Sequence, residues 1–212
     1  MLIREEINGT EIECETGEYY FSPGRVDRGT RLMLETVPLK ETDKVLDLGC
    51  GWGVVGIYAA KKLGPGQVVM CDVLEEAVAL STDNLKRNNL EGVKVIKSDG
   101  LKDVGDRDFT LILSNPPYHT DFAVAKAFIE DGFRKLAVGG RMALVTKRLD
   151  WYRNKMKTVF GGVKVYEAED YYIFLSEKRA AHVVKEKKPA RIMSKKLERK
   201  YAKKTAGRKP ET

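Results

Sequence analysis

The sequence predicts an α/β fold, in which helices cover both faces of a mostly parallel β-sheet. Between residues 43 and 160, short apolar runs alternate with longer segments of helical periodicity, and glycine or proline lies between several of them. Strands that alternate with helices pair in parallel and are joined by right-handed crossovers. Two final apolar runs, 163–166 and 171–175, are separated by only four residues, so an antiparallel pair is expected at the end of the sheet.

The predicted elements follow this alternation from the amino end. Segment 2–14 alternates polar and apolar residues around Asn8-Gly9, a pair typical of two-residue turns, and predicts a β-hairpin. A turn-rich aromatic stretch, 19–24, and a helix over about 27–37 then predict a lid that leads into the core. The core elements are predicted as strand 44–48, helix 54–63, strand 67–71, helix 75–88, strand 93–97, strand 109–113, helix 121–136, strand 141–146, helix 150–159 and the two final strands.

The charge of the chain is unevenly distributed. The net charge is +7, but residues 179–212 carry 13 Lys and Arg against 3 Glu, so the rest of the chain is slightly acidic. We interpret 1–40 as the hairpin and lid, 41–178 as the core domain and 179–212 as a basic tail. Such a tail favours a polyanionic partner such as RNA. A helix on a membrane surface and a solvated run of charges without a partner are the alternatives.

Other bulk features exclude several classes of protein. No apolar run approaches the ~20 residues of a membrane span, and the charged amino end lacks the apolar core of a signal peptide. A cytoplasmic protein without membrane contact is therefore expected. The three cysteines are odd in number and lack metal-ligand spacing, which predicts reduced thiols and no metal site.

The stretch 44–53 carries the strongest signal for a ligand site. An apolar strand runs into three alternating glycines, Gly49, Gly51 and Gly53, and then into an apolar helix. Glycine allows positive φ and close approach of a ligand to the backbone, and the helix directs its first N–H groups to the same place. Asp47 is expected to place a carboxylate at the mouth of this pocket, where it would repel a phosphate and attract an ammonium or a hydroxyl.

Two cofactors are compatible with this loop. Residues 51–56 match the dinucleotide fingerprint G-x-G-x-x-G, and Asp72 follows about 20 residues later, as a nicotinamide cofactor would require. The wider stretch 47–53, which includes Cys50, resembles the S-adenosylmethionine loop, in which the acid at the strand end faces the amino-acid half of the cofactor. We favour S-adenosylmethionine and keep the nicotinamide cofactor as the alternative.

The next two strands also end in acidic residues. Asp72 is placed to accept two ribose hydroxyls, Val73 to cover one face of adenine, and Asp99-Gly100 to bind the adenine amine. Each has a purely structural alternative, a helix cap for Asp72 and a turn for Asp99. Ligands bind open α/β sheets at the carboxyl ends of the strands, which favours the binding role.

The fourth strand of the core ends in Ser114-Asn115-Pro116-Pro117-Tyr118. The prolines lack backbone donors and stiffen the loop, so the Asn115 side-chain oxygen and the Pro116 carbonyl are held in fixed directions. Two such acceptors can bind both hydrogens of an exocyclic amine and direct its lone pair at a methyl sulfonium. Tyr118 can stack on a planar substrate. A rigid turn without chemistry is the alternative.

Residues 115–118, together with the glycine loop, resemble the amino-methyltransferases that act on adenine N6, guanine N2 or glutamine N5. Residues 21–34 and 115–119 resemble more closely the small-subunit ribosomal RNA guanine-N2 methyltransferase family, which has a Phe-Ser opening, an Asp-x-Gly helix start and an aromatic-His ending to its motif. The resemblance covers about 19–177 and implies a Rossmann-like, seven-stranded methyltransferase sheet in the domain 41–178. It also implies that Phe21 and Thr30 line the S-adenosylmethionine pocket from the lid.

The sequence therefore predicts an S-adenosylmethionine-dependent RNA methyltransferase that acts on a guanine amine, with its tail on RNA. Three alternatives remain: a glutamine-N5 or adenine-N6 methyltransferase, a nicotinamide-dependent oxidoreductase, and a non-catalytic RNA-binding module. The given sequence is expected to depart from longer family members in two ways, without their additional N-terminal half and with the basic tail, and both leave its RNA target open.

Overall fold

A seven-stranded sheet flanked by helices forms the centre of the fold in the computed structural model, which describes residues 1–16, 24–117 and 122–179. The elements are β1 (Leu2–Ile7), β2 (Thr10–Glu15), α1 (Arg28–Thr36), β3 (Val45–Leu48), α2 (Val54–Leu63), β4 (Val68–Asp72), α3 (Glu75–Arg87), β5 (Lys94–Lys97), β6 (Phe109–Ser114), α4 (Phe122–Lys135), β7 (Leu136–Thr146), α5 (Leu149–Phe160), β8 (Lys164–Ala168) and β9 (Tyr171–Glu177). A short 3₁₀ turn, Pro65–Gln67, precedes β4.

The strand order of the sheet is β5-β4-β3-β6-β7-β9-β8. The first five of these strands pair in parallel, and β9 is antiparallel to both β7 and β8. The predicted α/β fold with an antiparallel terminal pair is thus confirmed. Because β3 lies between β4 and β6, the loops after these three strands meet at one edge of the sheet.

Alternate residues of the central strands pack on opposite faces. Val45 and Leu111 belong to the apolar cluster that includes α1, α2 and the hairpin. Leu46 and Ile112, their chain neighbours, belong to the cluster that includes α4 and α5. This alternation with a period of two is what buries both faces of a parallel sheet.

The hairpin prediction is also confirmed. Asn8 and Gly9 both have positive φ, 46° and 70°, as a type I′ turn requires. The free edge of β2 is closed by α3, where Asn84 pairs with the backbone N–H and C=O of Glu15 at 2.7 and 2.9 Å. The predicted lid helix begins and ends within one residue of α1, whereas the lid segment 17–23 lies outside the described residues.

The start of β7 differs from the prediction. We expected a turn at Gly139-Gly140 and a strand from residue 141, but the strand begins at Leu136, directly after α4. Gly139 donates to Lys178 O, and Lys178 donates to Gly140 O, so the chain that leaves β9 pairs with the predicted turn. The register against β6 shifts between Phe109 and Leu111, so these glycines form a bulge within the strand.

The described part of the chain contains no helix long and apolar enough to cross a membrane. Residues 180–212, which include almost all of the predicted basic tail, lie outside the described residues. The proposed division of the chain at residues 40 and 178 stays a prediction.

Candidate active site

A pocket lies at the carboxyl ends of β3 and β6, where the amino end of α1 approaches the sheet. Ser114 at the end of β6 donates a hydrogen bond of 2.6 Å to Leu48 O at the end of β3, which holds the two loops side by side. The residues that line the pocket are Asp27, Thr30, Asp47, Gly49, Cys50, Gly51, Trp52, Val54, Val55, Asn115, Pro116 and Pro117. The structure thus brings together the glycine loop and the Asn-Pro-Pro motif, which are more than 60 residues apart in sequence.

The glycine loop has the conformation that its sequence predicts. Gly49, Gly51 and Gly53 have φ values of 77°, 54° and 98°, a region that favours glycine. The backbone N–H groups of Gly49 and Cys50 donate to Cys71 O at 2.9 and 3.0 Å, which ties the loop to β4. A Cβ at Gly51 would meet no atom within 4 Å, so the backbone there is open to a ligand.

Asp47 lies in the buried lining of the pocket and not at its mouth. The residue is 2% exposed, because β3 is central in the sheet, and its Oδ2 accepts a hydrogen bond of 2.9 Å from the Gly56 N–H. Burial raises the pKa of Asp47 to about 7, an effect that the Gly56 hydrogen bond partly opposes and the nearby charge of Asp72 increases. A buried acid of this kind is suited to receive a cationic group.

Asp72 supports the glycine loop directly. Its Oδ2 accepts from the Gly51 N–H at 2.9 Å, and its Oδ1 accepts from the Leu74 N–H at 3.0 Å. The N-cap residue of α3 is Leu74, so Asp72 is not the helix cap that the structural alternative assumed. It orders the loop and the turn after β4.

The other residues predicted to bind the adenosine half lie at the ends of β4 and β5. The side chain of Val73 is 55% exposed, as an apolar surface for a ring would be. Asp99 is also exposed, forms an ion pair with Lys102 and precedes Gly100, whose φ is 61°. Gly53, Asp72, Val73, Asp99 and Gly100 do not line the pocket, and the binding roles predicted for them stay predictions.

Asn115 carries the most informative contacts of the site. Its Nδ2 donates to Asp27 Oδ2 at 2.9 Å and to Thr30 Oγ1 at 3.0 Å. Its Oδ1 is buried, and no residue within 1–16, 24–117 or 122–179 donates to it. A buried acceptor without a donor is costly, so an oxygen left in this state at a pocket wall is expected to meet a ligand. Tyr118, His119 and Phe21 lie outside the described residues.

Asp27 is a pocket residue to which the sequence analysis assigned no role. It was visible as the acid of the Asp-x-Gly helix start, and the structure shows it as the N-cap of α1, where Oδ2 accepts from the Thr30 N–H at 3.0 Å. Trp52, Val54 and Val55 also line the pocket without having been predicted to do so. Their position within four residues of Gly51, in the loop and at the start of α2, was the available signal.

The three cysteines are free, buried thiols. Burial raises the pKa of Cys14 and of Cys71 to about 12, and that of Cys50 well above its usual value. None of them is therefore suited to be a nucleophile at neutral pH. Across the described ranges, no group of three or more His, Cys, Asp or Glu side chains could hold a metal ion.

Comparison with known proteins places these features in a family. Residues 11–176 match the model of the family described as "Methyltransferase small domain". The chain is 33% identical to the ribosomal RNA small subunit methyltransferase C of Psychromonas ingrahamii, over 80% of this chain and 49% of that protein. The corresponding protein of Pseudomonas putida is 36% identical over 73% of this chain and 47% of its own length.

Two solved structures share the fold of this chain. The T. thermophilus 16S rRNA N2 G1207 methyltransferase, solved with AdoMet and guanosine, has a TM-score of 0.76 and 25% identity over 84% of this chain and 50% of that one. A methyltransferase from Pyrococcus furiosus, 24% identical, shares the fold with a TM-score of 0.65 over 80% of this chain and 90% of that one. The chain spans about half the length of the curated relatives it matches.

Proposed function

The chain belongs to the methyltransferase small domain family, and from this premise we propose that it transfers a methyl group from S-adenosylmethionine to the N2 amine of a guanine in ribosomal RNA. The observation that carries the proposal is that Asn115 lines the same pocket as the glycine loop, while its buried Oδ1 receives no hydrogen bond from the residues that the structure describes. The relatives named as ribosomal RNA methyltransferases support the choice of substrate.

The lining of the pocket fits S-adenosylmethionine. Asp47 offers a buried carboxyl whose raised pKa would fall once a cation lay beside it, as an ammonium requires. Gly51 leaves its backbone open. Asp72 lies outside the pocket lining but holds the Gly51 N–H, and each of its oxygens can accept a second hydrogen bond from a ribose hydroxyl. When bound, S-adenosylmethionine supplies an activated methyl group on a sulfonium. Asp47, Gly49, Gly51 and Asp72 are the residues that would hold it.

Asn115 and Pro116 would hold the amine of the substrate. The lone pair of an exocyclic amine is delocalised into the base, so the amine is a poor nucleophile until its geometry changes. Acceptance of one hydrogen by Asn115 Oδ1 and of the other by the Pro116 carbonyl favours a pyramidal nitrogen with its lone pair free. Orientation and stabilisation of the developing positive charge then suffice for the transfer. The methylated nitrogen is cationic and strongly acidic, so it loses one proton to water, and no strong base is required. Tyr118 is proposed to stack on the base.

The basic tail is proposed to bind RNA. The pocket would hold the cofactor and the target amine, and RNA also presents phosphates that need positive charge. Residues 179–212 carry the excess of positive charge in the chain. Lysine and arginine that neutralise phosphates provide affinity without sequence preference. The nicotinamide alternative has no support from the relatives named for this chain, which are methyltransferases.

Transfer of a labelled methyl group tests the proposal. The chain is incubated with labelled S-adenosylmethionine and separately with ribosomal RNA, DNA or a release factor, and the modified nucleotide or residue is identified by mass spectrometry. We expect N2-methylguanine in ribosomal RNA, and loss of at least about 100-fold in rate for Asn115→Ala, which removes the amine acceptor. Asn154→Ala, an exposed asparagine on α5, is the matched control and should retain the wild-type rate.

Methylation of DNA adenine or of a release-factor glutamine would show that one of these alternatives, and not guanine, is the substrate. An unchanged rate in Asn115→Ala would remove the catalytic role of the Asn-Pro-Pro motif.

A further inference from the structure

We propose that Asp27 and Thr30 are positioning residues, which hold the amide of Asn115 in the one orientation that methyl transfer to an amine can use. The inference rests on the proposed function, because the usable orientation is that of a group which receives amine hydrogens. The two ends of an asparagine amide are similar in shape and opposite in chemistry, since Oδ1 accepts and Nδ2 donates. An amide rotated by half a turn would direct its own hydrogens at those of the substrate.

The partners of Asn115 distinguish between these orientations. Nδ2 donates to Asp27 Oδ2 and to Thr30 Oγ1, at 2.9 and 3.0 Å. A hydroxyl can accept or donate, so Thr30 alone would tolerate either end of the amide. An ionised carboxylate can only accept, so Asp27 selects the orientation with Nδ2 toward α1. This selection leaves the buried Oδ1 of Asn115, a residue that lines the pocket, without a donor from the described residues.

Asp27 is itself fixed before any ligand arrives. It is 9% exposed, and the oxygen that contacts Asn115 also accepts from the Thr30 N–H, as the N-cap of α1. The start of α1 is in close contact with β9, because a Cβ at Gly29 would lie 2.6 Å from Tyr171 Cε1. Asp27, 88 residues before Asn115, therefore holds the amide from the start of α1, and α1 itself packs against β9. We call Asp27 and Thr30 the clamp of the Asn115 amide.

Asp27→Ser separates the two roles of this carboxylate. Serine caps helices about as well as aspartate, so α1 keeps its start, but a serine hydroxyl is shorter and can also donate, so the selection is lost. We expect kcat to fall by about 10- to 100-fold, the range that one charge-assisted hydrogen bond represents. KM for RNA and the dissociation constant of S-adenosylmethionine should stay at their wild-type values. The melting temperature should fall by only several degrees, the cost of one hydrogen bond, so the variant stays folded at the assay temperature.

Two further variants complete the kinetic test. Asp27→Asn keeps an oxygen that can accept from both Nδ2 and the Thr30 N–H, and should recover most of the rate. Asp150→Ser removes an exposed carboxylate from the first turn of α5, where it pairs with Arg153, and should retain the wild-type kcat. Wild-type kcat in Asp27→Ser, or an equal loss in Asp27→Asn, would overturn the clamp.

The Asn115 amide provides a readout that does not depend on catalysis. In the NMR spectrum of the full chain without added ligand, the two Nδ2 hydrogens are identified by their absence in Asn115→Ala. They should exchange slowly with solvent in the wild type and faster by about tenfold or more in Asp27→Ser, because both of their acceptors belong to the clamp. Equal exchange in both proteins would overturn the inference. If the wild type does not methylate guanine, the proposed function fails, and this measurement still decides the clamp.

Discussion

The protonation of Asp47 should control the affinity for S-adenosylmethionine. In the free chain, burial holds the pKa of this carboxyl at about 7, so half of the molecules are neutral at pH 7. An ammonium group binds the ionised form, and binding must therefore release a proton from the neutral fraction. The test is to lower the pH from 7.0, which lies below the range of about 7.7 to 8.0 in which the α-amino group of the ligand titrates, so that this group stays protonated throughout.

The size of the effect follows from the population that can bind. With a pKa of about 7, the ionised fraction of Asp47 falls from roughly one half at pH 7.0 to about 3% at pH 5.5. The apparent affinity scales with the fraction that is competent to bind. The dissociation constant of S-adenosylmethionine should therefore rise roughly 15-fold between these two pH values.

Isothermal titration calorimetry at pH 7.0 and pH 5.5 measures this change. Repeating the titration at pH 7.0 in buffers with different ionisation enthalpies should show release of about half a proton for each ligand bound. Asp47→Asn keeps an acceptor for the Gly56 N–H and has no carboxyl to titrate, so its weaker affinity should not change with pH. Equal wild-type affinities at both pH values, or the same pH dependence in Asp47→Asn, would refute the reasoning.

Three other predictions concern stability and RNA binding. Because the pKa of Asp47 is higher in the folded than in the unfolded chain, the contribution of Asp47 to native stability is fully present below about pH 4 and is lost as the pH rises through 7. In urea unfolding, Asp47→Asn should therefore exceed the wild type by up to about 4 kcal/mol at pH 8, with no gain at pH 4, and equal curves at pH 8 would contradict this. Gly56→Ala should lower the free energy of unfolding by about 1–3 kcal/mol in the same assay, because its Cβ would lie 2.6 Å from Met70 Cγ. The control Gly66→Ala, whose Cβ would meet no atom within 4 Å, should cost less than about 0.5 kcal/mol, and equal costs would contradict the packing argument. Truncation after Arg179 should leave S-adenosylmethionine affinity unchanged. The slope of log affinity for RNA against log salt concentration should fall by about 0.7–0.9 for each phosphate that the tail neutralises in the full chain, and an unchanged slope would assign the tail another role.

Local sequence signals predicted much of the fold and part of the site. The Asn8-Gly9 turn, the apolar strands and the positive φ of the glycine loop follow from residues close together in sequence, and the structure shows them as expected. The meeting of Asp47 with Asn115 in one pocket follows from a general rule, that parallel strands present their carboxyl ends at one edge.

Long-range contacts account for what the sequence could not show. The contact of Asp27 with Asn115 spans 88 residues, and no local pattern indicates it. The bulge in β7 exists because Lys178 pairs with Gly139 and Gly140, which in isolation are typical of a turn. The burial of Asp47 depends on the central place of β3 in the strand order, and this place is set by neighbours elsewhere in the chain.

The central claim is that the pocket presents a flat amine to a methyl donor through Asn115. The most direct measurement is a crystal structure of the chain with S-adenosylmethionine and guanosine. We predict the ammonium of the cofactor beside Asp47, and the guanine N2 atom within about 3.5 Å of Asn115 Oδ1, the limit of a hydrogen bond. Guanosine bound elsewhere, or a cofactor whose methyl group points away from Asn115, would contradict the account.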